Sequence, residues 1–157
     1  MRIFLPASPA LLRAWVAERG AGPAPLTGYA VTPGLASYYG DADQEELEYA
    51  ALTRAARASL RLLSTEPRRV VVAVDVPENA VEVHDELDEG VVRATAHVPW
   101  RAFAAAFLDD EEAEGAVAQA MPVVDAADLG DADAEFLIGE VEAHELQWYA
   151  AQELADL

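Results

Sequence analysis

The chain contains no cysteine and no lysine among its 157 residues. The absence of cysteine excludes disulfide bonds, thiolate nucleophiles, cysteine-ligated zinc and iron–sulfur clusters. The absence of lysine excludes a P-loop lysine and the Schiff-base lysine on which pyridoxal chemistry depends. No apolar run reaches the length of about 20 residues that a membrane span requires, and none has the pattern of a signal peptide. These absences predict a cytoplasmic protein that does not associate with membranes.

Positive charge is scarce, because ten arginines face 29 acidic side chains and give a net charge of -19. A surface this negative repels phosphate backbones, so nucleic acid is not an expected ligand. Residues 1–74 contain eight arginines and seven acidic residues, whereas residues 75–157 contain two arginines and 22 acidic residues. The second half either presents an acidic surface to a partner or pairs with the arginines of the first half within one fold. We favour the second interpretation, in which the acidic residues of the second half pair with arginines of the first half within one fold.

Length and hydrophobic pattern predict one globular domain over residues 1–157. Residues 70–74 form an unbroken apolar run that is typical of a strand buried on both faces, and residues 91–98 alternate like a half-buried strand. The longest helix is predicted over residues 44–63, with Asp43 as its N-cap. This order of elements predicts an α+β (or α/β) fold with a mixed β-sheet of about four to six strands packed against helices.

Shorter elements are predicted on both sides of these segments. A strand over residues 2–5 precedes a helix that begins at the Ser8-Pro9 pair and ends at Gly20. Residues 29–32 have the pattern of a short strand closed by a Pro-Gly turn. Residues 131–142 are predicted to be helical, and residues 145–149 fit either a strand or the start of a final helix.

Three arginines, Arg54, Arg57 and Arg61, lie at helical spacing along one stripe of the longest predicted helix. Guanidinium groups bind carboxylates and phosphates through paired hydrogen bonds, which makes the stripe a candidate ligand-binding surface. Salt bridges to the acidic second half explain the same residues, and we favour that interpretation.

A second candidate site lies at the ends of two predicted strands. Arg93, Thr95 and His97 alternate along one face of the strand predicted over residues 91–98. Asp75 directly follows the buried run over residues 70–74. A guanidinium, an imidazole and a carboxylate at neighbouring strand ends are typical of a small-ligand pocket or an acid–base site. A solvent-exposed sheet face explains the same residues.

No motif for catalysis or metal binding is complete. None of the serines stands in G-x-S-x-G. His144 and Glu145 begin like H-E-x-x-H, but Trp148 occupies the place of the second histidine. Residues 131–142 carry acids at calcium-loop positions, but Phe136 stands where the loop requires glycine. No metal and no cofactor are therefore expected, and a non-catalytic role is favoured over an enzyme.

Several segments in this order resemble a family of small acidic proteins of unknown function from high-GC actinobacteria. The segments that carry the resemblance are residues 1–6, 29–33, 45–52, 68–77 and 144–153. It extends over essentially the whole chain. The resemblance implies an actinobacterial cytoplasmic protein and supplies no catalytic residues.

The sequence favours a protein-interaction or regulatory module that binds a basic protein, or a second copy of itself, through its acidic half. The alternative is a small-ligand or nucleotide-binding protein, or an enzyme, with its pocket near Asp75, Arg93 and His97. A third hypothesis is a decoy that mimics DNA, which requires carboxylates spaced like phosphates along one face.

Overall fold

The computed structural model describes residues 1–157, which form nine strands and six α-helices. The strands are β1 (Arg2–Ala7), β2 (Gly20–Ala21), β3 (Leu26–Tyr29), β4 (Val70–Asp75), β5 (Val81–Val83), β6 (Val91–Ala94), β7 (Val98–Pro99), β8 (Phe103–Leu108) and β9 (Gln147–Ala150). The α-helices are α1 (Pro9–Glu18), α2 (Pro33–Tyr39), α3 (Gln44–Ser59), α4 (Glu114–Ala120), α5 (Val124–Asp128) and α6 (Ala132–Glu142). Short 3₁₀ turns occupy Leu60–Leu62, Glu78–Ala80, Trp100–Ala102, Glu111–Ala113, Met121–Val123 and Ala151–Asp156.

Seven strands form one sheet in the order β5-β6-β3-β1-β4-β8-β9, and β2 pairs with β7 in a separate ribbon. Every pair is antiparallel. The α+β class predicted from the sequence is confirmed, but the main sheet is larger than predicted and contains no parallel pair. Residues 70–74 are uniformly apolar because β4 lies between β1 and β8 with both of its faces covered. A central antiparallel strand needs this pattern as much as a parallel one does.

Both faces of the sheet are covered. On one face, Ile3 of β1 belongs to a core that also contains Trp15 of α1. On the opposite face, Phe4 of β1 and Val71 of β4 pack with the alanines of α3, including Ala55. Because alternate residues of a strand point to opposite faces, β1 and β4 contribute to both cores. The alanines give α3 a flat surface that lies close to the sheet.

A third apolar cluster lies within the segment formed by α4, α5 and α6, which we call the helical layer. Its fully buried members include Val117, Val124 and Ile138. Leu60, just after α3, is the one fully buried member from outside residues 113–141. The helical layer therefore has a core of its own and joins the rest of the protein at the C-terminal end of α3.

Both helix starts predicted from capping residues are confirmed. The Ser8 side chain accepts a hydrogen bond from the Leu11 N–H at 3.1 Å at the start of α1. Asp43 accepts one from the Glu46 N–H at 2.9 Å at the start of α3. These contacts satisfy backbone donors that have no partner within the first turn of a helix.

Two predicted strands differ from the observed ones. The strand predicted over residues 29–32 ends at Tyr29, and Thr32 instead caps α2, a helix that was not predicted. The strand predicted over residues 91–98 is interrupted, because β6 pairs with β3 whereas β7 leaves the main sheet to pair with β2. The segment predicted over residues 145–149 is strand β9, followed by a 3₁₀ turn. None of the helices has both the length and the hydropathy needed to cross a lipid bilayer.

Candidate functional site

The arginine stripe, which consists of Arg54 and Arg57 of α3 and Arg61 of the following 3₁₀ turn, lines an open cleft of about 670 Å³. Arg54 directs its Nη1 to Asp88 Oδ1 at 3.0 Å and to Glu89 Oε2 at 3.5 Å. Its guanidinium carbon also lies 5.4 Å from the centre of the Tyr38 ring and 6.0 Å from that of Tyr39. Cation–π contact and ion pairing thus hold the same side chain.

The other two arginines of the stripe bind carboxylates of the helical layer. Arg57 Nη2 lies 2.8 Å from Asp128 and 3.3 Å from Glu135, and its Nη1 lies 3.5 Å from Glu142. Arg61 pairs with Asp128 and, at 3.0 Å, with Asp125. The guanidinium groups of the stripe are thus occupied by carboxylates of the chain itself. A ligand-binding role for Arg54, Arg57 and Arg61 stays a prediction.

These contacts explain the uneven distribution of charge along the sequence. Five arginines of the first half pair with carboxylates of the second half, namely Arg2, Arg54, Arg57, Arg61 and Arg69. The favoured interpretation, pairing between the halves within one fold, is confirmed. Four arginines form no ion pair, namely Arg19, Arg68, Arg93 and Arg101. Of these, Arg19 stacks on Trp100 and Arg68 donates to the carbonyl of Asp109.

The structure brings together two of the four residues proposed for the strand-end site. Asp75 and His97 line one cleft of about 510 Å³, together with Arg101. Arg93 projects from the opposite face of β6, because it alternates with Val92, which is buried in the core against α1. Thr95 lies in the segment between β6 and β7 and is not part of the cleft. Arg101 was not predicted for this site, because no motif or spacing in the sequence marks it.

Close backbone packing and an ion pair hold the polar groups of this cleft. A β-carbon at Gly22 would lie 2.9 Å from His97 Cδ2, and one at Gly20 would overlap the same ring. The imidazole of His97 therefore rests on a stretch of backbone that must lack side chains. Asp75 accepts two hydrogen bonds from Arg2, at 2.6 and 2.9 Å. The Arg2 guanidinium holds the pKa of Asp75 below its usual range.

A separate groove of about 310 Å³ lies between α3 and the segment before β9, and we call it the α3–β9 groove. Its apolar lining includes Leu52, Phe107 and Leu146. Glu142 and Glu145 also line it and supply its negative charge. An apolar groove that also carries carboxylates is suited to an apolar side chain accompanied by positive charge.

Exposed aromatic side chains flank the α3–β9 groove. Tyr49, which also lines it, is 60% exposed. Trp148 is 61% exposed and lies directly opposite Phe107 in the β8–β9 pair, so both rings project from the face that carries α3. A second depression, lined by Tyr39, Glu45 and other residues, shares Tyr49 with the groove. Large aromatics left this exposed are typical of interaction surfaces.

Arg69 holds the segment before β9 in place. Arg69 Nη2 donates to the carbonyl of His144 at 2.9 Å while the same guanidinium binds the carboxylate of Asp109. Arg69 itself lines the α3–β9 groove. The groove therefore has a rigid wall, which reduces the conformational cost of binding.

The structure contains no group of three or more histidine, aspartate or glutamate side chains placed to hold a metal ion. The residues that fit calcium-loop positions form α6, where Asp131 is the N-cap and accepts from the Ala134 N–H at 2.8 Å. His84 lies between two carboxylates, with Nδ1 2.8 Å from Glu86 and Nε2 3.4 Å from Glu82. The hydrogen bonds to Glu86 and Glu82 raise the pKa of His84.

Comparison with known proteins gives one match. The model of a protein family described as a family of unknown function, DUF6912, matches residues 1–157. No curated protein and no solved structure matches the chain. The resemblance to a family of unknown function is thereby confirmed over the whole chain, and the actinobacterial source stays a prediction.

Proposed function

The chain belongs to DUF6912, a family of unknown function, and we propose that it is a non-catalytic interaction module of the cytoplasm that binds a basic protein segment. In this proposal, residues 1–157 form a single domain. The observation that carries it is the α3–β9 groove, whose lining combines apolar side chains, the exposed ring of Tyr49 and two carboxylates, while the exposed ring of Trp148 lies on the neighbouring strand β9.

The size of the groove supports a protein segment over a whole small molecule. Its volume of about 310 Å³ is at the lower limit of ligand pockets, which span about 300–1,000 Å³. Such a volume accommodates one or two apolar side chains of a partner. Tyr49 and Trp148 then supply exposed rings of the kind that contribute most to binding at protein interfaces.

The charge supports a basic partner. Glu145 forms no ion pair, and Glu142 reaches Arg57 only at 3.5 Å. An incoming arginine or lysine finds one free carboxylate and one weakly held carboxylate beside the groove. The net charge of -19 additionally accelerates encounters with a cationic partner at low ionic strength. The occupant is therefore a segment that combines a leucine-like side chain with neighbouring arginines or lysines.

The test is a titration with a fluorescently labelled peptide of alternating arginine and leucine. We expect a dissociation constant of about 10 µM at about 25 mM NaCl and at least about tenfold weaker binding at about 300 mM NaCl. The double variant Glu145→Gln/Trp148→Ser removes one carboxylate that lines the groove and one exposed ring of the neighbouring strand β9. It is expected to weaken binding by about tenfold or more.

The matched control is Glu140→Gln/Phe136→Ser, which makes the same change of charge and removes an exposed ring on α6. Neither of its positions lines the groove. Equal losses in both double variants would show attraction by net charge alone and would contradict the proposal. The peptide could also fail to bind while sedimentation shows a dimer that Trp148→Ser dissociates. In that case the partner of the groove is a second copy of the chain and not a basic protein.

A further inference from the structure

Arg101 is one of two arginines, with Arg93, whose side chain has no ion pair, hydrogen bond or aromatic contact in a chain with an excess of acids. The sequence has ten arginines and 29 acidic residues, and six of the arginines form ion pairs. Arg101 forms neither an ion pair nor a hydrogen bond through its side chain, and it lines the cleft that Asp75 and His97 also line. A guanidinium without a partner at the wall of a cleft is available to an external anion.

The walls of this cleft are largely apolar. Val76, Pro77, Ala80 and Pro99 line it beside the three polar residues. Its volume of about 510 Å³ is well within the range of pockets that hold small molecules, about 300–1,000 Å³. An apolar body with one polar end group matches this lining better than a fully hydrated ion does.

The local charge favours an anion although the protein as a whole is negative. Arg2 binds both carboxylate oxygens of Asp75, at 2.6 and 2.9 Å, and compensates its charge. The charge that remains at the cleft is that of Arg101. His97 has no hydrogen-bond partner in the chain, so a ring nitrogen is available as a second donor.

We propose that the cleft formed by Asp75, His97 and Arg101 binds a small organic carboxylate with an apolar body. Arg101 pairs with the ligand carboxylate, His97 donates a hydrogen bond to it, and the apolar walls cover the rest of the ligand. The cleft shares no residue with the α3–β9 groove, so this site is independent of the proposed protein-binding function.

Benzoate and hexanoate are suitable probes, with benzylamine and hexanol as cationic and neutral counterparts. Each is titrated into the ¹⁵N-labelled full chain and followed by backbone amide shifts and by the ring signals of His97. We expect the carboxylates to saturate with dissociation constants of about 1 mM or tighter, with shifts concentrated near residues 97–102. The amine and the alcohol are expected to bind at least about tenfold more weakly.

Arg101→Gln is expected to weaken carboxylate binding about tenfold or more. Arg93→Gln is the matched control, because Arg93 is the other arginine without a polar partner and lies outside the cleft. Neither arginine forms an ion pair in the structure, so we expect both variants to fold. Equal weakening in the two variants would overturn the proposal, as would benzylamine binding as tightly as benzoate or no saturation by either carboxylate.

Discussion

The guanidinium of Arg69 and the carboxylate of Asp109 form a two-point ion pair that is closed off from solvent. Nη2 lies 2.7 Å from Oδ1 and Nε lies 2.9 Å from Oδ2. The side chains are 4% and 0% exposed. Asp109 Oδ2 additionally accepts a hydrogen bond from the backbone N–H of Arg69 at 2.8 Å. The pair joins the residue before β4 to the residue after β8.

Replacement of Asp109 by alanine tests this pair. The change leaves the Arg69 guanidinium buried without its counter-charge, so we expect the free energy of unfolding to fall by about 3–5 kcal/mol. Urea denaturation followed by circular dichroism measures the change. The control is Glu112→Ala, at an exposed residue without a side-chain partner, with an expected effect of about 0.5 kcal/mol or less. A loss below about 1 kcal/mol in Asp109→Ala would show that the pair contributes little.

Gly28 of β3 must lack a side chain because two neighbours on β1 approach it. A β-carbon there would lie 2.8 Å from the carbonyl oxygen of Phe4 and 2.8 Å from Ile3 Cγ2. Since a backbone atom of the central strand cannot move freely, we expect Gly28→Ala to destabilise the fold by about 1–3 kcal/mol. Thermal unfolding monitored by calorimetry measures the change.

Gly139 provides the opposite case. It lies within α6, and a β-carbon there meets nothing within 4 Å. We expect Gly139→Ala to stabilise the protein by about 0.5–1 kcal/mol, because alanine restricts the unfolded chain and favours the helix. The same calorimetric measurement applies. A loss of stability in this variant would mean that α6 packs differently from its position in the structure.

Asp85 holds the loop before β6 against the start of α2. Its carboxylate accepts from the Thr32 hydroxyl at 2.6 Å, the Gly90 N–H at 2.8 Å and the Gly34 N–H at 3.0 Å. Burial pushes the pKa of Asp85 upward, but these hydrogen bonds outweigh it and hold the pKa below its ordinary value. The folded state therefore binds the proton less readily than the unfolded state does.

Asp85→Asn is expected to lower the free energy of unfolding by about 1–3 kcal/mol at pH 7, since a carboxylate acceptor is lost. The contribution of Asp85 is fully present above the unfolded pKa of about 3.9 and is lost as the pH falls through the lower folded pKa. The stability difference between wild type and variant should therefore shrink below about pH 4. Urea titrations from pH 7 downward measure it, and a difference that stays constant would contradict the role of the carboxylate.

Arg57 ties the helical layer to α3 through Asp128, Glu135 and Glu142. We expect Arg57→Gln to cost about 1 kcal/mol and to accelerate amide hydrogen exchange in α6 more than in β4. The control is Arg13→Gln, which breaks the exposed Arg13–Glu66 pair with an expected effect of about 0.5 kcal/mol or less. If Arg57→Gln accelerates amide exchange equally in α6 and β4, the ion pairs of Arg57 do not specifically hold the helical layer on α3.

The elements that the sequence predicts correctly are those whose signal is local. A capping side chain three residues before its N–H partner identifies the starts of α1 and α3, and continuous burial identifies β4. The Thr32-Pro33 pair carries the same signal as Ser8-Pro9, because each joins a capping hydroxyl to a proline at the first helical position. Helix α2 was therefore recognisable, but the following glycine suggested a turn.

The candidate sites were harder to predict because they depend on contacts between distant segments. Tyr49 lines the α3–β9 groove, and Trp148 lies on the strand next to it only because β9 joins the edge of the sheet beside β8. Arg101 reaches the Asp75 cleft because β7 leaves the main sheet to pair with β2. Neither event leaves a periodic pattern in the sequence. Charge pairing was predictable as a tendency, but the choice of partner for each arginine was not.

The central position of β1 in the sheet has a consequence for how the protein folds during synthesis. β1 is synthesised before β4, so its long pairing, from Arg2 opposite Asp75 to Ala7 opposite Val70, waits for β4. Until then, β1 can pair only with β3, where Phe4 lies opposite Tyr29. Such distant pairing slows folding and keeps an apolar strand unpaired during synthesis. Residues 1–74 contain eight arginines and seven acidic residues, so the negative charge of the whole protein does not protect the unpaired strand until the part of the chain after β4 has been made.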